Sequence, residues 1–248
     1  MSERSSIETF SQLTEQKKEF IRTNLEEIRL RIKNSEKCSC YKQSARLLIA
    51  TKTRTPDEIN YAVSLGVDLI GENRVQELCE KYDQIKDSGA EIHFIGALQT
   101  NKVKYIIDKV SMIHSVDRLS LAKEIDRQAE KAGLVMNILC EVNIGLEESK
   151  SGVLPEQAEE FIRSISQFKH LKVCGLMSIP PIMRDSSIQK EYFKKIMNLY
   201  IDISTKKIDN INMSILSMGM SSDYDIAIEQ GANLVRIGSA LFGERTYK

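Results

Sequence analysis

Lys52 closes an apolar run, Leu47-Leu48-Ile49-Ala50-Thr51-Lys52, of the residue types that make a buried strand. A lysine carried by such a strand to the mouth of a parallel barrel has its amine held among apolar walls. Burial there disfavours the ammonium, and the neutral amine can attack an aldehyde. The competing reading is a lysine whose stem lies on the strand while its head stays in water. Far along the chain stand two glycine- and serine-bearing segments, Ser217-Met218-Gly219-Met220-Ser221-Ser222-Asp223 and Arg236-Ile237-Gly238-Ser239-Ala240. Backbone N–H groups and hydroxyls at such turns bind phosphate, and Gly219 and Gly238 let the main chain come close. The same glycines also suit tight turns, and Ser221 or Ser222 equally suits a helix cap.

An amine for an aldehyde and a cradle for a phosphate suggest an aldehyde that carries a phosphate. Pyridoxal 5′-phosphate (PLP) is such a molecule. Arg236 would then set an always-charged guanidinium against the pyridine nitrogen, opposing ring protonation. That weakens the ring as an electron sink and disfavours aminotransferase chemistry. Asn73 either hydrogen-bonds the ring hydroxyl region or closes a turn.

The elements that must position these residues alternate. A first helix is predicted between about Thr14 and Lys33, where Ile21, Leu25, Ile28 and Ile32 make one apolar stripe, with a polar break at Asn34-Ser35-Glu36-Lys37. Strand-like segments follow at Arg46–Thr51, Asp68–Glu72, Glu91–Ile95, Met112–Val116, Met136–Asn143, Leu171–Ile179, Ser214–Met218 and Asn233–Ile237. Helical patterns separate them. The clearest is Leu119 to Ala132, stopped by Gly133, while Thr55-Pro56-Asp57-Glu58 and Pro155 are initiation signals. Eight strands with intervening helices predict a single (β/α)₈ barrel, 1–248, with 1–41 as an N-terminal helical extension. A doubly wound open sheet is the rival, but no Gly-x-Gly-x-x-Gly follows the first strand. In a barrel the C-terminal strand ends share one mouth. Lys52, Glu72 with Asn73, Gln99 with Asn101, Asn143, Ser178, Ser217 with Ser221, and Arg236 with Ser239 would meet there, and Pro180 to Ser187 reads as a working loop.

Composition excludes several classes. Lysine plus arginine equals aspartate plus glutamate at 35 each, so no net field favours nucleic acid or an anionic membrane. The polar opening Met1-Ser2-Glu3-Arg4-Ser5-Ser6 and the lack of a long apolar run argue against a signal peptide or membrane span. Five cysteines, an odd count in a chain of 248 residues, suggest reduced thiols in a cytoplasmic protein. Cys38-Ser39-Cys40 lacks the four ligands of a structural zinc site, and His93, His114 and His170 show no clustering in their spacing, so no metal is expected. Lys102-Val103-Lys104 with Tyr105 reads as a solvated helix face.

Several segments stand in one order along the chain: Ile49-Ala50-Thr51-Lys52-Thr53, Gly71-Glu72-Asn73-Arg74-Val75-Gln76-Glu77, and His93 through Lys102. Val142-Asn143 with Glu147-Glu148-Ser149-Lys150-Ser151-Gly152, Gly175 through Pro181, Leu216 through Asp223, and Val235 through Gly243 complete the series, which spans about Arg46 to Arg245. Together they resemble the pyridoxal phosphate homeostasis protein family, which is similar to the N-terminal domain of alanine racemase. The resemblance implies that Lys52 holds PLP as a Schiff base, that Arg236 faces the pyridine nitrogen, that Ser221, Gly238 and Ser239 bind phosphate, and that Asn73 lies near the ring. It implies a carrier or regulator of vitamin B6 supply with no established turnover. Arg74 and Ala97 depart from the family pattern, in which tyrosine and histidine are common there, and put peripheral contacts in question.

The sequence ends soon after the eighth strand, with no segment for the second domain that alanine racemase uses, so a non-catalytic role is expected. Lys150 is a candidate relay amine, or a solvated loop lysine. A monomer is expected, with PLP-requiring apoenzymes as possible acceptors. Two other readings remain open: a PLP-dependent amino-acid racemase or lyase of low activity, and a cofactor-free Schiff-base aldolase acting on a sugar phosphate.

Overall fold

The computed structural model describes residues 13–147 and 150–244; Met1 to Ser6, Glu148, Ser149 and Arg245 lie outside them. Eight parallel strands close into a barrel in sequence order: β1 (Arg46–Ala50), β2 (Leu69–Glu72), β3 (Glu91–Phe94), β4 (Met112–Val116), β5 (Met136–Val142), β6 (Leu171–Ser178), β7 (Ile211–Met220) and β8 (Leu234–Ile237). β8 pairs back onto β1, with Leu48 opposite Arg236, so the open-sheet alternative fails. Helices alternate with the strands, except that a 3-10 helix, Thr100–Tyr105, joins β3 to β4: α1 (Glu15–Cys38), α2 (Pro56–Ser64), α3 (Val75–Ile85), α4 (Leu119–Ala132), α5 (Ala158–Ile165), α6 (Ser186–Thr205), α7 (Tyr224–Glu229) and α8 (Ser239–Phe242).

Local signals act as their chemistry dictates. Thr55 and Glu58 form a reciprocal capping box at α2: the Thr55 hydroxyl accepts the Glu58 N–H at 3.3 Å, and the Glu58 carboxylate accepts the Thr55 N–H at 2.9 Å. α4 ends at Gly133, which takes the left-handed conformation at φ 67°. Pro155 opens a short 3-10 turn, Pro155–Gln157, that leads into α5. β7 is longer than its apolar pattern, beginning at Ile211 rather than Ser214 and running on to Met220.

The first helix does not break at Asn34. α1 continues to Cys38 because Ser35 is buried and the Glu36 carboxylate accepts the Ala45 N–H at 2.7 Å, so tertiary contacts carry the helix through its polar stretch. Its apolar stripe packs on α7, α8 and α2. α8 has four residues, too few to cover the β8–β1 seam. α1 therefore fills that place in the outer ring. Asn24 donates to the Leu241 carbonyl at 3.0 Å, and Arg29 donates to the Leu65 and Gly66 carbonyls at 2.9 and 2.8 Å.

Side-chain alternation sorts the strands into an outer layer under the helices and an inner lining. Ile49, Ile70, Ile113, Cys140, Val142, Leu216, Val235 and Ile237 belong to the outer layer. Inside, Leu48, Ala50, Leu69, Ile95 and Leu234 form one cluster, and Met112, Leu139, Cys174 and Met177 another, both touching Ile215. The inward row of β1 is Leu48, Ala50 and then Lys52. The outward row ends in Thr51. Among the described residues no helix is long and apolar enough to cross a membrane.

Candidate functional site

A cavity of about 300 Å³ opens at the C-terminal mouth of the barrel. Its wall brings together Lys52, Asn73, Ser221, Arg236, Gly238 and Ser239, with Ala50, Arg54, Ile95, Ile182, Met220 and Ser222 completing it. The inward rows explain the convergence: Lys52 follows Ala50, Asn73 follows Gly71, and Arg236 follows Leu234. Gly71 is itself required, since a Cβ there would stand 2.2 Å from Leu48 Cδ2 inside the barrel.

The segments flanking Lys52 are clamped from the outer side. Thr51 faces outward, and its hydroxyl donates to Glu72 Oε1 at 2.6 Å. Lys81 on α3 donates to the same Glu72 oxygen and to the Thr51 carbonyl, both at 2.9 Å, and lies 3.5 Å from Glu77 Oε2. Glu77 Oε2 in turn accepts the Thr53 N–H at 2.7 Å. That bond holds Thr53 in the left-handed region at φ 64°, a conformation a β-branched residue resists. One lysine and two carboxylates thus fix both neighbours of Lys52.

The phosphate-type donors sit on the adjoining wall, on the loops after β7 and β8, the latter strand pairing directly with β1. The Ser221 hydroxyl accepts N–H groups from Gly238 at 3.1 Å and Ala240 at 3.2 Å, so it caps the start of α8, not α7. A hydroxyl that accepts twice still has its own hydrogen to donate. Gly219 turns the chain at φ 91°, and a Cβ there would stand 2.6 Å from Ala227 Cβ. Asp223 accepts the Met220 N–H at 2.7 Å and so pins this turn; burial pushes its carboxyl above the ordinary range.

Arg236 is buried, 4% exposed, beneath this rim. Nη1 donates to the Ser217 carbonyl at 2.8 Å and the Ser217 hydroxyl at 2.6 Å, and Nη2 donates to the Ser178 carbonyl at 3.0 Å. Burial lowers its pKa to about 10, against the opposing charges of Glu141 and Asp223, so it stays cationic at neutral pH. Glu141, inward on β5, is pushed up to about 7 by burial and by Asp117, against the pull of Arg236.

Several expected mouth residues have other roles. Glu72 faces outward into the β2–α3 layer. Gln99 and Asn101 are exposed and do not line the cavity. The Asn143 amide brackets Glu147, donating to its carbonyl at 2.8 Å and accepting its N–H at 3.2 Å, and so shapes the loop after β5. Ser178 and Ser217 lie beneath the cavity and hold Arg236. Lys150 is exposed on the β5 loop, outside the lining.

The histidines correct the expectation that they do not cluster: His93 Nδ1 and His114 Nε2 meet inside the barrel at 2.9 Å. Sequence spacing hid this pair, and Lys81 was missed altogether. The register of β3 on β4, with His93 opposite Met112, is what turns both rings inward. Among the described residues no group of three or more His, Cys, Asp or Glu side chains is arranged to hold a metal.

Residues 18–246 match the family described as "Alanine racemase, N-terminal domain". A pyridoxal phosphate homeostasis protein of Aquifex aeolicus is 47% identical over 203 residues, 82% of this chain and 88% of that protein. Among solved structures, a protein of unknown function from Bifidobacterium adolescentis superposes with a TM-score of 0.87 at 32% identity, covering 93% of this chain and 97% of that one. PipY of Synechococcus elongatus, solved with PLP bound, superposes with a TM-score of 0.78 at 27% identity, covering 90% of this chain and 100% of that one.

Proposed function

The chain belongs to the alanine racemase N-terminal domain family and, within it, to the pyridoxal phosphate homeostasis proteins; from that premise we propose that it binds PLP and serves vitamin B6 homeostasis by storing or handing over the cofactor. The observation that carries this reading is the convergence of an amine, a buried guanidinium and hydroxyl donors on one cavity. The residues fit the group. Asn73 Oδ1 is buried at the wall without a hydrogen-bond partner, as a polar atom meant to meet a ligand would be. When bound, PLP supplies an aldehyde that condenses reversibly with a lysine amine, and the row Leu48, Ala50, Lys52 aims that amine into the cavity. Ser221, Ser239 and the backbone at Gly238 receive the phosphate. Arg236 presents its remaining hydrogens to the ring nitrogen and opposes a proton there, while Asn73 meets the ring periphery.

A guanidinium in that position withholds the electron sink on which most PLP catalysis depends, which supports a carrier over an enzyme. We read the whole chain as one cofactor-binding unit acting in the cytosol as a monomer, with PLP-requiring apoenzymes as acceptors. Lys150, exposed on the β5 loop, is suited to meet the aldehyde on its way in or out. The test is a titration of cofactor-free protein with PLP, followed by assay on a panel of amino acids. Absorbance of a lysine-linked cofactor that vanishes in Lys52→Ala, with turnover no faster than free PLP, is expected. Turnover far above that background would replace the carrier with a racemase or lyase, and a protein that takes up no PLP but cleaves a sugar phosphate would leave the aldolase.

A further inference from the structure

A line of polar side chains crosses the barrel interior beneath the cavity, and the carrier reading uses none of it beyond Arg236. It starts at Arg236 Nη1, 2.6 Å from the Ser217 hydroxyl. Ser217 Oγ lies 3.3 Å from His114 Nδ1, and His114 Nε2 lies 2.9 Å from His93 Nδ1. His93 Nε2 reaches Glu91 Oε2 at 3.4 Å, and Glu91 pairs with Arg46 at 3.1 Å. Both imidazoles, Ser217 and Arg236 are buried, whereas Glu91 is exposed at the N-terminal end of β3.

The proton positions follow from the two ends. Glu91 as a carboxylate can only accept, so His93 Nε2 must carry hydrogen. A neutral His93 then accepts at Nδ1, which makes His114 Nε2 the donor. A neutral His114 accepts at Nδ1, and the donor facing it is the Ser217 hydroxyl. Ser217 then turns its lone pairs to the guanidinium, which can only donate. Reversed, the line sets a bare His93 nitrogen against a carboxylate oxygen. Burial holds both rings neutral: it drives His93 down to about 4 and His114 well below the usual imidazole range, where the charge of Arg236 also acts.

We propose that His114 and His93 are positioning residues for Arg236: with Ser217 they form an oriented hydrogen-bond chain, its direction set by the Glu91 carboxylate beside His93 Nε2, that fixes the guanidinium at the cavity floor, both rings held as Nε2–H tautomers. The chain commits the Ser217 hydroxyl hydrogen to His114 and leaves its oxygen to Arg236. Nη1 is then fully engaged by Ser217, and Nη2 is held by Ser178. The Arg236 Nε–H and one Nη2 hydrogen are left to face a molecule in the cavity. Part of this inference rests on the proposed meeting of Arg236 with the PLP ring, but the tautomers do not depend on it.

The first test uses cofactor-free protein. Long-range proton–nitrogen correlation on ¹⁵N-histidine-labelled protein at pH 7 should give neutral Nε2–H patterns for both His93 and His114. A Nδ1–H tautomer or an imidazolium at either ring overturns the proposal. The second test compares His114→Phe, which breaks the chain, with His114→Gln, which keeps a donor and an acceptor. Exchange of the Arg236 Nε–H with solvent should accelerate about tenfold in the phenylalanine variant, as loss of one bond in a charge-assisted chain implies, and much less with glutamine. In PLP-loaded protein the visible maximum should move only in the phenylalanine variant, while Lys52 still takes a borohydride-stable label. Unchanged Arg236 exchange in His114→Phe would show that the rings merely fill space. Ser217→Ala breaks the same chain and gives the same readout should His114→Phe not fold. Absence of the label in wild type would refute the cofactor reading while the tautomers still stood or fell alone.

Discussion

Lys81→Met isolates the clamp behind Lys52. The Lys81 side chain is 11% exposed, and its ammonium pairs at 2.9 Å with the carboxylate of a fully buried Glu72 side chain. Removing one member of a buried pair leaves the other charge uncompensated, at a cost of about 3–5 kcal/mol. Thr51 still donates to the same Glu72 oxygen at 2.6 Å, which places the loss at the lower end. About 3 kcal/mol corresponds to a fall in Tm of roughly 6–12 °C at this chain length. The second half of the prediction carries the sign. Glu72→Leu combined with Lys81→Met removes both charges of this pair and should recover at least half of the loss, because no ion is left stranded at the Glu72 position and Glu77, the second partner of Lys81, keeps Arg74 at 3.3 Å. Scanning calorimetry of the wild type, the single variant and the double variant decides it. A Lys81→Met protein that melts within about 2 °C of wild type would show that the pair bears little stability. A double variant melting below the single one would show that Glu72 was stabilised by something other than Lys81.

Three further outcomes are expected. Gly219→Ala should lower stability by about 2–3 kcal/mol, since it adds a Cβ 2.6 Å from Ala227 Cβ at φ 91°; urea unfolding midpoints check this, and an unchanged midpoint would mean the turn relaxes freely. Glu141 stays protonated in the folded protein up to about 7 but ionises near 4.5 when unfolded, so the folded form binds more protons between those values. Its contribution is therefore complete below pH 4.5 and lost as pH rises through 7, and Glu141→Gln should gain on wild type by of order 3 kcal/mol from pH 4.5 to pH 8. Equal differences at both pH values would contradict that. Arg236→Gln should shift the visible spectrum of PLP-loaded protein, because it removes the charge proposed to face the ring; an identical spectrum would mean that Arg236 does not face it.

Much of this site was legible in the chain because strand alternation and barrel closure are one-dimensional rules. Once β1 is a strand with Leu48 and Ala50 inward, Lys52 must follow them, and the loops after β7 and β8 must be its neighbours. α4 between Leu119 and Gly133 was legible for the same reason, a periodic face with a residue that can end it. What escaped needed three dimensions. Glu72 carries a strand-end carboxylate, but its row, shared with Ile70, faces α3, so it became a clamp for Thr51 instead of a mouth residue. His93 and His114 are 21 positions apart, and only the β3–β4 register brings them to 2.9 Å. α1 outran its apolar stripe because Ser35 is buried and Glu36 found a partner in the Ala45 N–H, neither of which local propensity encodes.

Lys52, held between Thr51 and Thr53, is the amine proposed to take the phosphorylated aldehyde. Borohydride reduction of the PLP-loaded protein, followed by mass mapping of its peptides, tests it most directly. A stable cofactor label is expected on the peptide carrying Lys52, absent in a folded Lys52→Ala protein. A label on another lysine with Lys52 unmodified, or no label at full loading, would contradict it.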